Sequence, residues 1–230
     1  MFSGKSVLVV GASGVFGSEF CSQLMAAGAI VAGTAKNAES SQRLRADLTA
    51  RLLVDLELPS SISALTNYLN SLPTPIDGVI LASGLVAFGS AFETPSEITN
   101  RLMQVNALGQ IQLIRELLPK LQESAEAGRS PFVLSLSGVI SEKPMAGLAS
   151  YSASKTALYG YSLAAAKEFR KLGISWVDAR PGHTETGLAG RAIYGSAPNF
   201  GKGLEPEVVV ERILRGIQNS ETDFPSSSFS

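Results

Sequence analysis

A tyrosine and a lysine four residues apart, Tyr151 and Lys155, begin a helix-forming stretch that runs to Leu172. At that spacing two side chains project from one face of a helix, about 5–6 Å apart at Cβ. A neighbouring ammonium stabilises a phenolate and lowers the pKa of tyrosine from about 10 towards neutrality. The pair could then exchange a proton with a substrate near pH 7. Because such pairs are also common as surface neighbours, the interpretation depends on the elements that position them.

The composition of the 230-residue chain argues against several classes of function. The chain is 45% hydrophobic and 17% charged with 22 glycines, which favours one α/β domain. A formal net charge of -1 argues against nucleic acid as a partner. One histidine and one cysteine, Cys21, argue against a metal site and for a reducing compartment. With no signal peptide and no apolar run of 18 residues, we expect a cytoplasmic protein without a membrane partner.

A glycine-rich turn follows the first predicted strand, Lys5–Val10, whose β-branched run is typical of a buried parallel strand. A helical pattern then continues to about Ala27. Amides at such a helix N-terminus can receive the pyrophosphate of a dinucleotide, although a tight turn without a ligand is the alternative. The candidate cofactor residues of this turn are Gly11, Ser13, Gly14, Val15, Phe16 and Gly17.

The ends of the second and third predicted strands bear on the choice of cofactor. An acidic residue after the second strand would bind the ribose of NAD, but none occurs before Glu39. Lys36 would instead pair with a 2′-phosphate, unless it is a solvated loop charge. We therefore expect NADP(H) to be preferred, with NAD(H) as the alternative. Asp55, which ends the third strand, would meet an adenine edge or cap the next helix.

Strand and helix patterns alternate about six times along the chain. This alternation predicts an α/β fold with a single-domain, Rossmann-like, doubly wound parallel sheet of six or seven strands and helices on both faces. The domain would span residues 1–224, with a substrate lid at about 187–204 and a flexible tail at 225–230. A helix is also predicted over Ser40–Leu48. Ligands bind such sheets beyond the carboxyl ends of the strands, where the candidate residues of this chain fall.

Taken together in this order and spacing, the motifs resemble the short-chain dehydrogenase/reductase family over nearly the whole chain, from about Lys5 to Gln218. An asparagine within a helical pattern is locally unfavourable and is one of these marks. The marks are the glycine turn, Asp55-Leu56, Asn106, Ser137, Tyr151-Ser-Ala-Ser-Lys155 and Pro181-Gly182 with Thr186.

The resemblance implies an oxidoreductase that transfers a hydride between a nicotinamide and a carbonyl or secondary alcohol. Tyr151 would be the acid/base, and Lys155 would lower its pKa and hold the nicotinamide ribose. Ser137 would orient the substrate carbonyl, and Asn106 would bend its helix and anchor a water that relays protons. Beyond the glycine turn, the implied cofactor residues are Lys36, Asp55, Leu56, Ala82, Gly84, Tyr151, Lys155, Pro181, Gly182, Thr184 and Thr186.

Two features depart from the commonest family pattern. The glycines fall as Gly-x-x-Gly-x-x-Gly, a spacing commoner in an extended, epimerase-like branch. Ser137 lies fourteen residues before Tyr151 where thirteen is more usual, and the thirteenth position is Gly138. A cofactor-assisted epimerase or dehydratase, and a non-catalytic NAD(P)-sensing protein, therefore stay as alternatives. His183 is interpreted as a packing or loop residue, because tyrosine-based chemistry does not require it.

Apolar residues in the predicted loops indicate the substrate. If they line a pocket, the substrate is a fairly apolar ketone, aldehyde or secondary alcohol. Second apolar faces on two long helices suggest helix pairing between subunits, and the resemblance also implies a homodimer or homotetramer. The candidate pocket residues are Leu85, Phe88, Phe92, Met145, Leu148, Leu188, Ile193, Tyr194 and Phe200.

Overall fold

A computed structural model describes residues 2–229 of the chain. Its centre is a sheet of seven parallel strands in the order β3-β2-β1-β4-β5-β6-β7. Because the strand order reverses between β1 and β4, the predicted doubly wound sheet is confirmed. The strands are β1 (Ser6–Val10), β2 (Ile30–Ala35), β3 (Ala50–Leu53), β4 (Gly78–Leu81), β5 (Phe132–Leu136), β6 (Ser175–Ala179) and β7 (Asp223–Phe224).

Helices connect the strands and surround the sheet. A π-helical turn, Gln104–Leu108, joins the fourth and fifth helices. Within residues 2–229, none of the helices combines the length and the apolar character that crossing a bilayer would take. The α-helices are α1 (Val15–Ala26), α2 (Ala38–Ser41), α3 (Pro59–Ser71), α4 (Ser96–Met103), α5 (Gly109–Glu126), α6 (Ala149–Phe169) and α7 (Pro206–Gln218).

The strands bury both faces, because side chains alternate between the two sides of a sheet. In β1, Val7 and Val9 pack with residues of α1 and α7, whereas Leu8 and Val10 pack with residues of α3 and α5. This arrangement explains the near-continuous apolar runs of the strands. It also leaves the carboxyl ends of all strands at one edge, where polar residues collect.

Two local predictions differ from the structure. The predicted helix Ser40–Leu48 is only the single turn α2, and Arg45 pairs with Asp47 in the segment that follows it. Residues two apart do not face each other on a helix, so this contact requires a turn. The tail predicted to be flexible is ordered over its described part as a 3₁₀ turn, Ser226–Phe229, in which Phe229 packs near Phe224. Residue 230 lies outside the described residues.

Candidate active site

A cavity of about 620 Å³ lies along the carboxyl edge of the sheet. The strand order places the adenosine-side candidates, at β2 and β3, on one side of the glycine turn after β1. The residues following β4, β5 and β6 lie on the other side. Of the predicted site residues, those that line the cavity are Gly11, Ser13, Gly14, Val15, Phe16, Lys36, Asp55, Leu56, Ala82, Gly84, Tyr151, Lys155, Pro181, Gly182, Thr184 and Thr186.

The glycine turn has the geometry that a pyrophosphate needs. Gly11 has a φ of +87°, and a Cβ there would collide with Ser83. A Cβ on Gly17 would collide with the carbonyl of Gly11, so this glycine keeps α1 close to β1 although it does not line the cavity. Gly14 is the N-cap of α1 and supplies no side-chain cap, so the first amides of the helix are available to an anion. The residues present therefore fit a dinucleotide.

The ends of β2 and β3 carry more charge than the sequence analysis recognised. Lys36 Nζ lies 2.5 Å from Glu57 Oε1 and 3.6 Å from Asp55 Oδ2. Arg101 of α4 also binds Glu57, and its hydrogen bond is the largest of the effects that lower the pKa of that carboxyl. Arg43 lines the same end of the cavity, and no ion pair or hydrogen bond holds its guanidinium within residues 2–229. Glu57 and Arg43 were missed, because only the folded chain pairs Glu57 with Lys36 and places Arg43 in the cavity wall.

Asp55 has a local structural role in addition to lining the cavity. Its Oδ1 accepts the N–H of Glu57 at 2.9 Å, and its own N–H donates to Ser61 Oγ at 3.0 Å. The N-cap of α3 is Leu58, so Asp55 holds the turn before the helix without capping it. The predicted capping role is therefore replaced by a turn-forming one.

Asn106 occupies the π-helical turn between α4 and α5, where the backbone departs from regular helix. Its Oδ1 accepts the N–H of Leu85 at 2.8 Å, and its Nδ2 donates to the Leu85 carbonyl at 2.9 Å. The same Nδ2 donates to Ser154 Oγ on α6 at 2.9 Å. A Cβ on Gly84 would lie 3.4 Å from Asn106 Oδ1 and 3.5 Å from Lys155 Nζ, so both residues border the same point. Asn106 thus ties the segment after β4 to the helix of Tyr151.

Tyr151 and Lys155 lie on the first turns of α6 and both line the cavity. Burial raises the pKa of Tyr151 to about 12, which is opposite to the lowering predicted from its spacing to Lys155. Lys155 Nζ donates to the carbonyl of Leu136, the last residue of β5, at 2.8 Å. Burial lowers the pKa of Lys155 to about 8, while the charge of Asp178 raises it.

Ser137 does not line the cavity. Its side chain is buried, and its Oγ donates to Asp178 Oδ1 at 2.6 Å. Gly138 is the residue that lines the cavity at this point, with a φ of +72°. A Cβ there would meet only the carbonyl of Pro181, at 3.8 Å. The structure therefore brings Tyr151, Lys155 and Asn106 together but directs Ser137 away from the expected substrate position, because the Asp178 carboxylate holds its hydroxyl.

The residues after β6 form the opposite wall of the cavity. Thr184 Oγ1 donates to the Gly182 carbonyl at 3.0 Å, and Thr186 Oγ1 accepts the N–H of Leu188 at 3.4 Å. His183 is half-buried and stacks on Phe200, with ring centroids 5.1 Å apart. These contacts agree with a packing role for the histidine.

The apolar end of the cavity is covered by the segment 187–204. Phe200 of this segment lies 6.0 Å from Phe88 between ring centroids. The N–H of Phe88 donates to the Tyr194 carbonyl at 2.9 Å. Of the predicted pocket residues, Leu85, Phe88, Met145, Leu148, Leu188 and Phe200 line the cavity. Phe92 is 88% exposed, and Ile193 and Tyr194 contribute backbone contacts to the segment instead.

A parallel sheet with a dinucleotide turn and a tyrosine–lysine pair at one edge defines a nicotinamide-dependent oxidoreductase. The model of the family described as short chain dehydrogenase matches residues 5–193. The chain therefore belongs to the short-chain dehydrogenase/reductase family, whose members act on CH–OH and C=O groups with NAD(P)(H).

Known proteins show the same relationship. A dehydrogenase/reductase SDR family protein 7-like from Drosophila melanogaster is 29% identical over 96% of this chain and 72% of its own length. A short-chain dehydrogenase from Sphingobium yanoikuyae in complex with NADPH has a TM-score of 0.83 at 21% identity, covering 96% of this chain and 87% of that one. A 3-ketoacyl-(acyl-carrier-protein) reductase from Brucella melitensis complexed with NADH has a TM-score of 0.87 at 21% identity, with full coverage of both chains. Both structures share the fold of this chain, and one contains NADPH whereas the other contains NADH.

Proposed function

We propose that this chain transfers a hydride between NADP(H) and a carbonyl or secondary alcohol, with Tyr151 exchanging the proton. The observation that carries the proposal is the position of the Tyr151 phenol. It packs against the apolar cluster of Val86, Phe88, Ile140 and Leu148, and it lies one helical turn from Lys155. At this place the phenol can donate its proton to the alkoxide that hydride transfer forms from the substrate carbonyl.

The other residues hold the reactants in place. When bound, the nicotinamide supplies or accepts the hydride. Lys155 would hold the nicotinamide ribose through its ammonium, and Thr184 and Thr186 would hold the carboxamide from the wall after β6. Asn106 would anchor a water that returns protons towards Lys155, since both side chains border Gly84. The glycine turn would receive the pyrophosphate on the amides of α1.

The preference for NADP(H) is supported by two cations at the adenosine end. Lys36 is 49% exposed although Glu57 and Asp55 pair with it, and Arg43 is exposed and lines the same cavity. A 2′-phosphate is a stronger partner than a single carboxylate, because it accepts several charge-assisted hydrogen bonds. Lys36 would therefore turn from Glu57 to the phosphate while Arg101 keeps Glu57 paired.

The apolar end of the cavity supports a fairly apolar substrate, and the segment 187–204 would act as its lid. Phe200 of this segment packs on Phe88 and His183, so the segment would close the apolar end of the cavity over a bound substrate. We further propose a single domain over residues 1–224 and a homodimer or homotetramer. The buried thiol of Cys21, the one cysteine of the chain, supports a cytoplasmic location.

The test is NADPH and NADH oxidation, followed by absorbance, against a panel of apolar ketones and aldehydes. Tyr151→Phe should lower turnover at least about 100-fold while NADPH still binds, because only the proton donor is lost. Tyr161→Phe is the matched control, because it removes a hydroxyl from the same helix on the side that packs on Trp176. Equal turnover by wild type and Tyr151→Phe, or no binding of either cofactor, would contradict the proposal.

A further inference from the structure

Lys155 donates a hydrogen bond to a backbone carbonyl whose two neighbouring residues are both bound to the same carboxylate. Its acceptor is the carbonyl of Leu136. The two neighbouring residues, Ser135 and Ser137, donate their hydroxyls to the two oxygens of one carboxylate, Asp178, each at 2.6 Å. Ser135 of β5 is the register partner of Asp178 of β6, and Ser137, just after β5, reaches the same carboxylate. Asp178 therefore fixes the end of β5 on which the ammonium of Lys155 rests.

Asp178 is itself held by an arginine. Arg180, two residues further on, donates to Asp178 Oδ1 at 2.9 Å. The guanidinium is 2% exposed, and it also binds Glu142 at 2.5 Å and Asp223 at 2.6 Å. It lies 4.5 Å from the ring centroid of Tyr159 on α6. Burying a charge requires removing it from water, a cost that hydrophobic residues of the same volume would not have. Stability alone therefore does not explain why this cluster of charges is buried.

We propose that Asp178 is a positioning residue for Lys155, acting through Ser135 and Ser137 on the Leu136 carbonyl, and that Ser137 serves this clamp instead of contacting the substrate. This inference rests on the proposed function for the role of Lys155. It accounts for the orientation of Ser137, whose hydroxyl is turned to Asp178 and does not line the cavity. It also accounts for the bare backbone of Gly138 at that wall of the cavity.

Asp178 also acts on Lys155 through its charge, which favours the protonated form of the lysine. The titratable groups that face Lys155 are Tyr151 on its own helix and Asp178 from β6. Burial lowers the pKa of Lys155 to about 8, and the Asp178 charge opposes that effect. Burial raises the pKa of Asp178, while its hydrogen bonds to Ser135, Ser137 and Arg180 oppose that rise. Glu142 and Asp223 bind Arg180, whereas Asp178 is the carboxylate whose charge acts on Lys155.

The experiment measures the titration of Lys155 in the cofactor-free protein by ¹³C NMR of labelled lysine, with the resonance assigned from Lys155→Arg. Asp178→Asn should move the titration of Lys155 to lower pH than in the wild type, because the ammonium loses its facing negative charge. Ser162→Ala is the control, because it removes another buried hydroxyl, one that donates only to the Tyr159 carbonyl of α6. An unchanged Lys155 titration in folded Asp178→Asn would overturn the proposal.

A double variant tests the proposal in the case in which Asp178→Asn does not fold. Combining Ser135→Ala with Ser137→Ala keeps the carboxylate with Arg180 but releases Leu136, and it should also lower the pH at which Lys155 titrates. A titration identical to that of the wild type would overturn the clamp.

Kinetics separates the two roles of Ser137. As a positioning residue, its replacement by alanine should lower kcat less than about tenfold and leave KM for the carbonyl substrate unchanged. A hydroxyl that polarises the substrate would cost about 100-fold to 1000-fold in kcat, and such a loss would overturn the proposal. Because the NMR titration needs no turnover, a wild type without activity would contradict the proposed function and leave the clamp measurable.

Discussion

At the scale of single residues, the adenosine end of the cavity shows how neighbours decide what a charge can do. Lys36 is paired with Glu57, whereas Arg43 has no such partner within the part of the chain that the structure describes. A guanidinium presents several donors to a phosphate in a fixed geometry, so a free one is suited to a 2′-phosphate. Arg43 is therefore the residue at which we expect the choice of cofactor to be most sensitive.

Replacing Arg43 with alanine should raise KM for NADPH about tenfold, because a charge-assisted hydrogen bond contributes about 1.5 kcal/mol or more. KM for NADH should stay the same, since that cofactor has no 2′-phosphate. Steady-state kinetics with both cofactors provides the measurement. Lys202→Ala is the control, because it removes an exposed cation of the lid segment outside this end of the cavity. Equal losses for NADPH and NADH would exclude Arg43 as a phosphate ligand.

At the scale of elements, the π-helical turn explains why an asparagine interrupts a long helix. The sequence marked Asn106 as out of place, because its side chain competes with helical backbone bonds. The structure supplies the reason, since the amide holds both backbone groups of Leu85 and also binds Ser154. The wider turn aims this side chain across to β4 and α6.

Asn106→Ala should lower the free energy of unfolding by about 2 kcal/mol, because it leaves the N–H and carbonyl of Leu85 without their partner. Urea unfolding followed by circular dichroism measures the change. Asn100→Ala, on the exposed side of α4, should change the free energy by less than about 0.5 kcal/mol. If the two variants unfold at the same urea concentration, the amide of Asn106 does not stabilise the fold.

Local patterns in the sequence carry most of the element-level information. Buried strands, the glycine turn and the spacing of Tyr151 and Lys155 all depend on neighbours within a few positions, so the sheet and the placing of these two residues in the cavity were predictable. The direction of Ser137 was not, because Asp178, 41 residues away along the chain, captures its hydroxyl. The pairing of Lys36 with Glu57 is likewise a contact between separate strand ends.

At the scale of the whole molecule, Arg180 joins the carboxyl edge of the sheet to the last strand, β7. Its guanidinium binds Asp178 in β6, Glu142 in the loop after β5 and Asp223 in β7. Glu142 also accepts the N–H of Ser226, so the C-terminal turn is tied to the same cluster. These contacts make the last strand part of the domain core.

Arg180→Leu should lower the free energy of unfolding by about 3–5 kcal/mol, because it leaves the buried carboxylate of Asp178 without its cationic partner. Thermal unfolding at pH 7 measures the loss, with Arg215→Leu as a control at an exposed helical position. The control should stay within about 0.5 kcal/mol of the wild type. A loss in Arg180→Leu no larger than in the control would show that the cluster does not hold β7 in place.

Lys36 and the Asp178–Arg180 ion pair differ in their access to water. Lys36 is half exposed, whereas the pair of Asp178 and Arg180 is buried. Mobile ions screen charges over about 10 Å at 0.1 M salt and about 3 Å at 1 M, but they reach buried pairs poorly. Raising the ionic strength should therefore weaken the discrimination between the two nicotinamide cofactors and leave the placement of Lys155 intact. The salt concentration should therefore change the preference between NADPH and NADH without changing the position of Lys155, and no substitution is needed to test this.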